Sequence, residues 1–98
     1  MRFPMLYRQA GLEEWTSGTT ENISASGVLF VGARDLVPAT PVEMTVMLPA
    51  EVTGTAAVEV ICSGHVVRRA PEVRADGVEL AATIREHRLS RGKQDREG

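Results

Sequence analysis

The 98-residue sequence predicts an all-β fold, a six-stranded antiparallel barrel. Three observations point there. The segment Val42 to Leu48 alternates strictly: Val42, Met44, Val46 and Leu48 share one face, while Glu43 and Thr45 lie on the other. A period of two is what a half-buried strand requires. The remaining apolar runs are short and are punctuated by Gly, Pro, Asn and Ser at hairpin-like spacing. Before residue 85, no stretch carries the helical period.

In order along the chain, Phe3 to Gln9 forms a first strand with Phe3, Met5 and Tyr7 on one face. Pro4 suits a strand start or an edge. Residues 10–18 make a polar connection containing Trp15, which is expected to cover an open end of the core. Thr19 to Ile23 is a short β-prone run that leads into Asn22-Ile23-Ser24-Ala25-Ser26-Gly27, a turn-forming cluster. The apolar strand Gly27 to Gly32 follows at once. Asp35, Pro38 and Pro41 mark a loop, and Pro49 with Thr53-Gly54-Thr55 closes the alternating strand that comes next. Ala56 to Arg69 reads as one long strand in which Gly64 signals a bulge or bend. Gly77 to Ile84 is the last strand. The expected organisation is a barrel over 1–84 and a charged tail over 85–98, a short helical turn or disorder.

Charge excludes one class of function. Of the 11 basic and 13 acidic residues, five and three fall in 85–98, which leaves six basic and ten acidic in the body. An acidic body argues against a nucleic-acid binder. The single cysteine, Cys62, permits no internal disulfide, so a reducing compartment fits. No run approaches the ~18 apolar residues of a membrane span. The first eight residues are too interrupted for a signal peptide, and a cytoplasmic location is expected.

Chemistry-bearing residues are few. Cys62 and His65 stand three apart, on opposite faces of a regular strand, and nothing nearby completes four metal ligands. Ser24, His65 and Asp35 lack any nucleophile-elbow pattern, so no enzyme and no catalytic set is read. Asn22-Ile23-Ser24 also spells a glycosylation sequon, without a secretory signal to support it. Arg68 and Arg69, ending the long strand, offer positive charge near a site, but the expected reading is a charged strand end that blocks edge pairing.

With these residues in view, the chain resembles the PilZ family. Asn22-Ile23-Ser24-Ala25-Ser26-Gly27 matches its [Asp/Asn]-x-Ser-x-x-Gly signature. Pro41-Val42-Glu43-Met44, Cys62 to Arg68 and Gly77-Val78-Glu79-Leu80 follow in the family's order of elements, over about residues 2 to 84. The resemblance implies a six-stranded barrel in bacterial cyclic di-GMP signalling. It implies cyclic di-GMP as the ligand, with no other cofactor, and a protein partner not named by the sequence. Carried over, Asn22 and Ser24 hydrogen-bond the base and phosphate region, and Gly27 permits close approach. The family's second motif, Arg-x-x-x-Arg, is incomplete here: Arg2 matches its first arginine, Leu6 stands at the second, and Arg8 lies two residues further on. Arg2 and Arg8 are an even number of residues apart, so both point to one face of an extended segment. Weak binding is expected. The alternative is a degenerate PilZ adaptor that binds no nucleotide.

Overall fold

A computed structural model describes residues 2–90. Alternation along each strand sends one set of side chains inward. In β1 (Pro4–Gln9), Met5 and Tyr7 are buried, and Phe3 just ahead of it is buried too. In β4 (Pro41–Leu48), Val42, Met44 and Val46 are buried, as their spacing predicts, with Leu48 packed partly against them. β2 (Thr16–Ile23) and β3 (Gly27–Gly32) form a hairpin across the Asn22–Gly27 turn. A single helical turn, α1 (Ala50–Thr53), links β4 to the long β5 (Val58–Arg69). β6 (Val78–Thr83) follows.

Every neighbouring pair is antiparallel. β1 lies between β2 and β4, β3 between β2 and β6, and β5 between β6 and β4, so the ring of six closes. Closure removes the free edges that an open sheet would present. Inside it, the Phe30 and Tyr7 rings meet edge to face with centroids 4.9 Å apart. Each large core side chain contributes about 1.5–3 kcal/mol. The Tyr7 hydroxyl accepts the Arg34 N–H at 2.8 Å and donates to the Arg34 carbonyl at 2.6 Å, which ties the loop after β3 to β1.

The structure differs from the sequence reading in several places, the start of β2 at Thr16 rather than Thr19 among them. Glu86–Ser90 is a seventh strand, β7, rather than a helical turn or disorder; it pairs with β5 from Glu59 to Ser63. Residues 91–98 lie outside the described residues. β5 outruns β6, and the chain beyond β6 fills the vacant flank: the Arg85 N–H donates to the Ser63 carbonyl at 2.8 Å, and β7 continues the ladder. Trp15 does not cap the core but sits outside the barrel, with the Arg8 guanidinium 4.3 Å above its ring. Finally, Gly64 is not the site of the bulge in β5. Its register with β4 is unbroken, and glycine is needed because a Cβ would overlap the Thr83 carbonyl. The bulge comes later, between Val66 and Arg68.

Candidate functional site

The site is built on two bulges. Along β2, Thr20 faces Phe30 and is buried, where its Oγ1 accepts the Phe3 N–H at 2.8 Å. Regular pairing would then place Asn22 on the same inner face. Instead the register slips at Glu21, and Asn22 faces Leu29 on the outer side. β5 repeats the device. Val66 faces Ala82 on the inside, Val67 is the extra residue, and Arg68 faces Ala81 on the outside. Bulges are a common way to re-aim a side chain beside a binding site.

The two slips meet in one line. Asn22 is opposite Leu29, Leu29 opposite Ala81, and Ala81 opposite Arg68. Four strands thus carry a straight outer row with an amide at one end, a guanidinium at the other, and an apolar floor between. Three inter-strand steps separate the ends, about 14 Å.

Around this row lies an open groove of about 390 Å³, bounded also by Ser24, Ser26, Gly27 and Thr83. That volume is within the range of small-molecule sites. The turn at its end is firmly held: the Ser24 N–H donates to the Gly27 carbonyl at 2.9 Å, and the Ile84 N–H donates to the Ser26 carbonyl at 2.9 Å. Gly27 leaves the wall low, since a Cβ there would come within 3.0 Å of the Ala82 carbonyl. Opposite Gly27 in the register, Thr83 Oγ1 accepts the His65 N–H at 3.1 Å, which fixes that hydroxyl's position.

Of the residues singled out from sequence, Asn22, Ser24 and Gly27 come together here. Arg2 does not line the groove; it lies 3.9 Å from both Glu21, the neighbour of Asn22, and Asp76, and is more than half exposed. Glu21, the bulged residue, also holds Arg74 at 3.0 Å, and Arg74 reaches Asp76 at 3.1 Å. Hydrogen bonding to Glu21, aided by Asp76, holds the Arg74 pKa above the usual arginine range. Arg8 is elsewhere. It pairs with Glu43 at 2.7 Å, stacks on Trp15, and lines a separate depression with Thr45 and Arg88.

Thr83 was not singled out from the sequence, and Arg68 was weighed there as positive charge near a site but read as a charged strand end. A signal existed for Arg68. Counting by twos from Cys62 and Val66 puts it on the core face, where an unpaired charge cannot stay, and that conflict implies a bulge. Cys62 and His65 gather no metal set: among the described residues, no three His, Cys, Asp or Glu side chains cluster. Cys62 is buried, which pushes its thiol pKa up. No helix among the described residues is long and apolar enough to cross a membrane.

Against known proteins, the model of the PilZ domain family matches residues 1–91. The chain belongs to the PilZ family. PilZ domains are binding and regulatory modules of cyclic di-GMP signalling. The family's barrel is the ring described above, to which this PilZ domain adds β7. No curated protein and no solved structure matches the chain.

Proposed function

We propose that this PilZ domain is a cytoplasmic regulatory module that binds cyclic di-GMP weakly through the Asn22–Gly27 turn and passes the signal to a protein partner. The observation that carries the reading is the slip at Glu21, which turns Asn22 away from the core onto the groove beside Ser24. An amide offers donors and an acceptor together, as the edge of a guanine requires, and a serine hydroxyl suits either a base or a phosphate oxygen. Gly27 lets the ligand approach the backbone.

Arg2 supplies the arm. Its contacts with Glu21 and Asp76 are long and exposed, and such pairs are worth about 0–1 kcal/mol, so a phosphate competes for it at little cost. Leu6 provides no second guanidinium, which is the reason for weak binding. Swinging the arm from the carboxylates to the ligand changes the surface shown to a partner.

Titration calorimetry with cyclic di-GMP tests this. Measurable binding is expected, with affinity falling roughly tenfold or more in Asn22→Ala and Ser24→Ala. Ligand at a hundred times Kd stabilises by about 2.7 kcal/mol, so the melting temperature rises with it. No heat and no shift at saturating ligand would overturn the reading. The adaptor without nucleotide would then stand, favoured by Leu6 and by the commitment of Arg8 to Glu43 and Trp15.

A further inference from the structure

Resting on the nucleotide-site reading, we propose that Arg68 is the anion-binding end of the groove and takes a phosphodiester of a cyclic dinucleotide. It does the work left undone by the incomplete arginine motif.

Three observations carry this. Among the described residues, Arg68 is the only charged side chain lining the groove. It is exposed, and it has no ion pair among the described residues, whereas the neighbouring cations are taken: Arg69 by Asp35 at 2.7 Å, Arg74 by Glu21 and Asp76. Its outward aim depends on the extra residue Val67. A charged strand end needs no such device, since an arginine can be solvated at the end of β5 without an extra residue, as the exposed Arg69 is. The slip puts the guanidinium in line with Asn22, over the low floor of Leu29 and Ala81.

The chemistry fits one ligand class. The amide end reads a base edge and the planar guanidinium grips a phosphodiester through paired N–H groups, about 14 Å apart at the backbone. A ligand that is polar at one end and anionic at the other, with a flat apolar body, spans the row. Lysine, with a point charge and no fork, replaces such a contact only in part.

The test is titration of the full chain with cyclic di-GMP, comparing wild type with Arg68→Ala, Arg68→Lys and Arg88→Ala. Arg88 lies outside the groove and controls for loss of one positive charge. Arg68→Ala is expected to weaken binding about ten- to a hundredfold and to flatten its dependence on salt. Arg68→Lys should recover part of the loss, and Arg88→Ala should bind as wild type does. Circular dichroism and melting curves establish that each variant is folded; if Arg68→Ala is not, the lysine variant carries the comparison. Wild-type binding with unchanged affinity and salt dependence in both Arg68 variants would overturn the role of Arg68 alone. Absence of binding by the wild type would overturn the nucleotide site and this role with it.

Discussion

Tyr7→Phe isolates one hydroxyl that fastens a whole loop. The Tyr7 side chain is fully buried, and its ring keeps its packing against Phe30 when the oxygen is removed. What disappears is a pair of hydrogen bonds, 2.8 Å from the Arg34 N–H and 2.6 Å to the Arg34 carbonyl. At about 0.5–1.5 kcal/mol each, the loss is about 1–3 kcal/mol, and the two stranded backbone groups push it toward the upper end. In a domain of this size, 1 kcal/mol moves the melting temperature by about 4–8 °C, so a loss of about 2 kcal/mol lowers it by roughly 8–16 °C. Urea unfolding should show a lower midpoint with an unchanged slope. Hydrogen exchange should show loss of protection at the Arg34 amide. A loss under about 0.5 kcal/mol, with that amide still protected, would refute the claim that the hydroxyl clamps the loop.

Two further outcomes follow from the packing. Gly64→Ala forces a Cβ into the Thr83 carbonyl, where β5 passes from β6 to β7; overpacking of this kind costs about 1–3 kcal/mol, read by thermal unfolding. Alkaline pH should destabilise the fold, because burial raises the pKa of both Cys62 and Tyr7, so the unfolded chain releases these protons first. Their contribution is complete below about pH 8.5 and is lost as pH rises through the thiol and then the phenol range. Denaturant midpoints from pH 7 to 10.5 would show the decline, and its first part should be absent in Cys62→Ala.

The strands of this barrel were legible where one face alone is buried. The alternation in β4 marked its end and its inward face, because Glu43 and Thr45 interrupt the apolar residues at every second place, although the strand begins one residue earlier, at Pro41. β7 was not legible, since its residues are nearly all exposed and its existence depends on a flank of β5 that β6 leaves unpaired. Trp15 was misplaced for a related reason: burial is the usual fate of the ring, but Arg8 supplies a cation-π contact on the outside. At the candidate site, the Asn22–Gly27 turn was visible as a pattern of residue types. The groove was not, because its far wall comes from β5 and β6, more than 40 residues away, in a register set by pairing.

That register gives the groove an unusual kind of vulnerability. Its polarity is written in the number of residues between landmarks, not only in their identities. The extra residue at Glu21 and at Val67, rather than its side chain, sets which way Asn22 and Arg68 point. Losing either position altogether would turn the amide or the guanidinium inward and draw an apolar neighbour out. When relatives of this chain are compared, a one-residue gap beside either landmark therefore says more about the fate of the groove than a changed letter within it. A sequence could keep every residue of the Asn-x-Ser-x-x-Gly signature and still have lost the site by a deletion just before it.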